Sequence, residues 1–269
     1  KKLGICIALL ISFFSANAEE ILVGGTLTED LVFTSENVYI VYKDLRIPEG
    51  ITLTINAGVT VKIDQGRGIL VLGGNLLVDG QQNNEIDSIH FVPNHLDRFD
   101  GWKWKGISYT GVAGVNNKIS YANIVDAEIA VDIYNSTGVI IENSCILNNQ
   151  NIGVRLYNSK DCEINNCLFQ DNYDGIEMVA TNGEETSGNL VKGCVLKNFN
   201  HNIYLLKAFG GMFMDNLIKL NLIEDGNNGI WMDNGGGEAF GRNMISKNIF
   251  INNDYQDLFI LPTLLPNCM

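Results

Sequence analysis

The feature that most limits what this chain can fold into is an internal repeat. Asn135-Ser-Thr-Gly-Val-Ile-Ile-Glu-Asn-Ser-Cys-Ile lies over Asn158-Ser-Lys-Asp-Cys-Glu-Ile-Asn-Asn-Cys-Leu-Phe at an offset of 23 residues. The template is an apolar residue, a small one three places on, another apolar residue, an Asn, and a closing Gly-apolar-x-apolar. One copy runs Ile141, Ser144, Ile146, Asn149, Gly153, Val154, Leu156, and the next Ile164, Cys167, Phe169, Asn172, Gly175, Ile176, Met178. Further copies start at Val191, Ile218 and Ile245, each 27 residues after the last, and Phe199 takes the Asn position in the first of them. An earlier copy runs Ile119, Ala122, Ile124, Ala127, Val131, Ile133.

Within each copy apolar and polar residues alternate over three to five positions, with Gly and Asn at the corners. This is the pattern of short strands, because successive strand side chains face opposite ways and Gly and Asn tolerate positive φ. No stretch offers the ten or more residues of helical period that a helix wants. One coil cannot bury its inner face alone, whereas stacked coils can. The sequence therefore predicts an all-β, single-stranded right-handed parallel β-helix, with Ala122, Ser144, Cys167, Cys194, Asn221 and Asn248 forming an internal ladder. A leucine-rich repeat shares the opening spacing, but that repeat wants Asn-x-Leu directly after its strand. Here the next apolar residue after Asn172 is Ile176, behind a glycine, and no helix fits between copies.

The N-terminal part carries a different repeat of the same kind. Ile51 to Ile63 and Gly68 to Gly80 alternate with period two and turn on Gly, and Ile89 to Val92 and Trp102 to Ile107 continue the pattern. An open solenoid end exposes unpaired strand edges, so residues 19–50 are expected to form an N-terminal cap. The division is then a signal peptide at 1–18, the cap at 19–50, coils over 51–260, and a short tail at 261–269 that looks thin for a cap and suggests that further coils follow.

Pro48-Glu-Gly-Ile-Thr-Leu-Thr-Ile-Asn-Ala-Gly-Val-Thr-Val-Lys-Ile63, the Gly-Asn-Leu-Leu-Val-Asp-Gly80 stretch and Trp104-Lys-Gly-Ile107 resemble the entry region of secreted bacterial right-handed parallel β-helix repeat proteins. The later coils resemble the same pectate-lyase-like superfamily. That resemblance implies the fold over nearly the whole mature chain. It does not select an activity, because members include lyases, hydrolases, epimerases and surface proteins.

Export is read from the first residues. Lys1-Lys2 precedes an apolar run from Leu3 to Phe14, and Ala16-Asn17-Ala18 gives a small-x-small cleavage pattern. The run is too short for a permanent membrane anchor, so a secreted, periplasmic or cell-surface protein is expected. The net charge of −13 argues against nucleic acid as a partner. Five cysteines remain after cleavage, Cys145, Cys162, Cys167, Cys194 and Cys268. An odd number implies at least one free thiol or an intermolecular bond. No zinc-ligand spacing is present, and the thiols read as small buried apolar side chains.

Stacking turns equivalent positions into surface columns. The residue between the two apolar positions of the closing strand points outward; up the coils it is Asp132, Arg155, Glu177, Tyr204, Trp231 and Phe259. Three charges followed by three aromatics suit a polysaccharide or cell-surface glycan, the rings stacking on sugars and the polar groups fixing hydroxyls. The competing reading is cross-strand packing, with Asp132, Arg155 and Glu177 as a plain ion-pair ladder. Insertions at Ala180 to Gly188, Lys207 to Met212 and Asp233 to Gly241 fall at one corner and suggest a rim. They bring Glu184, Glu185, Asp233 and Glu238, oxygen donors that suit Ca²⁺, although solvated acids are the simpler reading.

A catalytic set can also be drawn. Asp174, His201 and Asn228 fall in register beside Glu177, Tyr204 and Trp231. A uronate lyase needs a base, His201 or Tyr204, and a neutraliser such as Arg155, Lys207 or Ca²⁺. A glycoside hydrolase needs two carboxylates, and Asp132 and Glu177 would stand two rungs apart, roughly 9.6 Å, with Arg155 between them. The sequence lacks a paired Asp-Asp and a Gly-His-Gly of the polygalacturonase type. Three functions stay open: a glycan-binding protein, a polysaccharide lyase or hydrolase acting on acidic polysaccharide, and a structural or adhesive solenoid.

Overall fold

A computed structural model of the chain describes residues 18–82, 85–94, 103–114, 116–208, 210–235 and 240–260. Most of the 1–18 stretch read as a signal peptide, with Cys6, and also Trp102, Glu238 and the 261–269 tail with Cys268 lie outside the described residues. Every element among those residues is a strand, and the chain is a parallel β-helix. The leucine-rich alternative, which needs helical or extended connections on its convex side, is not the fold.

Each coil supplies one short strand to each of three faces. The first face stacks nine strands, from Leu31–Phe33 to Met244–Ser246. The second runs through Thr60–Ile63, Cys145–Leu147 and Leu168–Gln170 to Ile249–Ile251. The third runs through Gly68–Leu72, Ile129–Tyr134, Ile152–Tyr157, Asp174–Ala180, His201–Lys207 and Asn228–Asn234 to Gln256–Ile260. Near the N-terminus the long strand Asn37–Pro48 serves both the second and third faces. Its Val38–Val41 half pairs with Thr60–Ile63 and its Leu45–Pro48 half with Ile69–Leu72. Residues 19–50, expected to cap the solenoid, consist mainly of such parallel strands in register with the coil above.

Alternation explains the packing. In Thr52–Asn56 and Thr60–Ile63 every second side chain is buried, and Leu53, Ile55, Val61 and Ile63 are fully excluded from solvent. The same inward positions recur as Ile124, Ile146, Phe169, Leu196 and Ile223, all at 0% exposure. Burying each such side chain is worth roughly 1.5–3 kcal/mol, and no single coil could collect that alone.

The corners are set by backbone conformation. Tyr121, Asn143, Asn166, Gly193, Leu220 and Lys247 stack as one column with φ between 50° and 69°. Gly106 does a different job. Its φ is 108°, and a Cβ there would lie 1.7 Å from the carbonyl oxygen of Ile129, so only glycine lets the next coil pass this close.

The internal ladder forms where the repeat placed it. The Ala122 N–H donates to Ser144 Oγ at 3.1 Å, Cys194 N–H to Asn221 Oδ1 at 2.9 Å, and Asn221 donates to Asn248 Oδ1 at 3.0 Å. A second ladder runs along Asn149, Asn172 and Asn198. Here the register differs from the template: Asn198, not Phe199, stands in the Asn column, because it follows strand residue Lys197 directly whereas Asp171 separates Gln170 from Asn172, and Phe199 is left 65% exposed. The four described cysteines are buried free thiols. Burial raises the Cys162 thiol to about 11.

The insertions expected to form a loop rim are partly regular. Glu185–Ser187, Met212–Met214 and Phe240–Gly241 pair in parallel as a small fourth sheet at that corner. The physical reason is continuity: Lys160 already bridges to Ser187 from the coil below, so the longer coils find a backbone edge to extend.

Candidate functional site

On the third face, Asp132, Arg155, Glu177, Tyr204, Trp231 and Phe259 pair successively across adjacent strands and form one column. It continues below through Ser108, Leu70 and Arg46. Two further columns flank it. On one side stand Ile129, Ile152 and Asp174, then His201, Asn228 and Gln256. On the other stand Tyr134, Tyr157, Val179, Leu206 and Asp233.

The upper half is a run of aromatic rings. His201 stacks on Tyr204 with centroids 4.9 Å apart and leans on Trp231 at 5.6 Å, while Trp231 and Phe259 are 4.0 Å apart. The column residues are only half-buried. Sequence reasoning missed the second aromatic pair: Tyr134 and Tyr157 stack at 5.2 Å beside the charged rungs, and the Arg155 guanidinium lies 6.0 Å over the Tyr157 ring. The signal was available, since they sit two residues beyond Asp132 and Arg155 and so share the outer face. Tyr173, 54% exposed, carries no repeat signal, and Phe199, 65% exposed, is the residue that the repeat template places in the Asn column.

The lower half divides its charges unequally. Arg155 grips Asp132 with two hydrogen bonds, Nε to Oδ1 at 2.9 Å and Nη2 to Oδ2 at 2.7 Å, and that bond holds its own pKa above the ordinary guanidinium value. Glu177, the next rung, makes no hydrogen bond or ion pair with any described residue. Burial raises its pKa above the usual carboxylate range against the pull of Arg155, with Asp174 and Asp132 pushing it further the same way. The expected three-charge ladder is thus one tight pair and one solitary acid.

Asp174 and His201 do meet. Asp174 Oδ1 lies 2.9 Å from His201 Nδ1 and accepts from the His201 backbone N–H at 2.8 Å and from Asn200 Nδ2 at 3.1 Å. Burial, with help from the nearby Asp233, raises the Tyr204 hydroxyl to about 12. Asn228, 7% exposed and above His201, has a carbonyl oxygen with no hydrogen-bond partner among the described residues. Below the column a depression of about 260 Å³, lined by Lys105, Ser108, Glu128 and Asp132 among others, extends the same face.

The acids suggested for Ca²⁺ are not brought together. Glu185 is held by Lys160 at 2.6 Å, Glu184 is exposed in a turn, Asp233 sits on the third face, and Glu238 lies outside the described residues. Among the described residues no group of three or more His, Cys, Asp or Glu is placed to share a metal ion.

The model of one protein family matches residues 82–260, two thirds of the sequence. The chain belongs to the periplasmic copper-binding protein (NosD) family. The copper of that description does not fit the donors described here. The thiols of Cys162, Cys167 and Cys194 are buried and donate to backbone carbonyls, and Asp174 occupies His201 Nδ1. Solved structures sharing the fold include the Dettilon tailspike protein (13% identity, TM-score 0.45, 75% of this chain and 45% of that one). Another is the A-module of the Azotobacter vinelandii mannuronan C-5 epimerase AlgE6 (12%, 0.43, 81% and 56%). A third is endopolygalacturonase I from Stereum purpureum (13%, 0.47, 92% and 96%). The chain spans about half the length of the first two, and likeness at this level concerns architecture only. A comparison with curated proteins found no significant match. No helix among the described residues is long and apolar enough to cross a membrane.

Proposed function

We propose that this NosD-family protein binds a polysaccharide lengthwise along the outer side of its third face. The observation that carries the reading is the half-exposed aromatic run His201–Tyr204–Trp231–Phe259, with one ring per coil from Tyr204 upward. Coils stack at roughly 4.8 Å, close to the length of one pyranose, so successive sugars meet equivalent surfaces. Tyr134 and Tyr157 lengthen the aromatic surface beside the charged rungs. Aromatic planes bind sugar rings through their apolar faces while leaving hydroxyls to polar neighbours.

Two of the residues that a lyase or hydrolase would recruit are committed to each other. Arg155, one of the candidate neutralisers, and Asp132, one of the two carboxylates, bind each other, which favours binding over catalysis. The test is retention on a panel of immobilised glycans. The parent protein should be retained on at least one, and Trp231→Ala with Tyr204→Ala should abolish that retention. Unchanged retention of the double variant on every glycan bound by the parent rejects the face.

A further inference from the structure

The aromatic end of this face is chemically one-sided. The strands Asp174–Ala180, His201–Lys207, Asn228–Asn234 and Gln256–Ile260 contain Asp174, Glu177, Asp233 and Asp257 but no Arg and one Lys. That Lys207 is 1% exposed and donates inward to Asn234 Oδ1 at 3.3 Å. The nearest outward cation, Arg155, is paired with Asp132 through two hydrogen bonds. A ligand on the Tyr204, Trp231 and Phe259 rings therefore meets carboxylates and aromatic faces.

We infer that the ligand carries cationic amino groups, an amino-sugar polymer of the glucosamine type rather than a uronate polymer, with its ammonium groups held between the aromatic rings and Glu177 and Asp233. This rests on the polysaccharide reading above and specifies its substrate class. Two independent features of the surface agree. An ammonium over Trp or Tyr is attracted by the negative ring face. Glu177 is a carboxylate with no hydrogen-bond or ion-pair partner among the described residues, and a cation beside it supplies one. A uronate carboxylate in the same place would face Asp174, Glu177 and Asp233 with no free cation, and like-charge juxtaposition disfavours the wrong partner.

The experiment is calorimetric titration of the mature protein at low salt with three oligomers of equal length: glucosamine, N-acetylglucosamine and galacturonate. The glucosamine oligomer should bind about tenfold or more tightly than the acetylated one. That ratio should fall towards one in Glu177→Gln/Asp233→Asn, and Trp231→Ala should weaken glucosamine binding. Thermal midpoints and far-ultraviolet spectra check that the variants are folded. Equal binding of the charged and acetylated oligomers, or tighter binding of galacturonate, overturns the amino-sugar inference. If that binding still depends on Trp231, the polysaccharide face survives. Glucosamine binding that Trp231→Ala leaves unchanged, or absence of glucosamine binding, also overturns the inference. The wider glycan screen then decides separately whether the face binds any polysaccharide.

Discussion

Asp174 and His201, 27 positions apart in the sequence, meet through one carboxylate oxygen that lies 2.9 Å from the imidazole Nδ1 and 2.8 Å from the backbone nitrogen of the same histidine. This double contact fixes the ring over Tyr204 and against Trp231. The aromatic run therefore begins on a residue locked by an acid one coil below.

Asp174→Ala removes the acceptor for the His201 ring, the His201 amide and the Asn200 side chain, at a site where both side chains are largely buried. Leaving such donors unpaired costs about 1–3 kcal/mol. Chemical denaturation should show a loss of that size, and Asp174→Asn, which keeps an acceptor, should recover part of it.

Trp231→Ala breaks contacts to both His201 and Phe259. Glycan affinity should fall by about tenfold or more, since central aromatic anchors dominate such surfaces. The core beneath it, Ile230 and Met232, is untouched, so the urea midpoint should move little. Calorimetry on a glycan retained by the parent, beside an unfolding curve, separates the two effects.

Glu177 has a raised native pKa. A carboxyl of this kind stabilises the fold while protonated, below its ordinary range, and loses that contribution as pH rises through the native value. Glu177→Gln keeps the shape without the charge. The variant should melt higher than the parent at pH 7–8, and the difference should vanish on acidification below the usual carboxylate range of about 4. A parent that gains stability over Glu177→Gln as pH rises would contradict the assignment.

Leu220 occupies a left-handed corner at φ 59° and is 49% exposed. The equivalent residues one and two coils below are Gly193 and Asn166. A branched residue pays roughly 1–2 kcal/mol there relative to one that tolerates positive φ. Leu220→Asn should therefore raise the unfolding free energy by about 1 kcal/mol, read from denaturant curves with an unchanged slope.

Much of the fold was legible because a solenoid is nearly one-dimensional: Ile146, Phe169 and Leu196 repeat in sequence what they repeat in space. The slip at Phe199 shows the limit. One residue fewer between the strand and the ladder position shifts the template, and only the hydrogen bonds of Asn172 to Asn198 reveal which side chain stands inside. The next rung is less readable still. Gly226 has no side chain to continue the ladder, and Asn202, from the strand before, turns its amide into the space. A Cβ on Gly226 would lie 2.6 Å from Asn202 Nδ2, so the pair is matched, though nothing in their spacing announces it.

By itself the sequence determined the coil, the inward and outward faces and the membership of the column from Asp132 to Phe259, because period-two alternation and a stacked repeat fix those through local geometry and burial. Only the tertiary structure decided how the column divides: that Arg155 turns to Asp132 and away from Glu177, that Asp174 anchors His201, and that Tyr134 and Tyr157 lie face to face. These are choices among side-chain directions of similar local energy, and they are settled by which charges and rings the neighbouring coil presents.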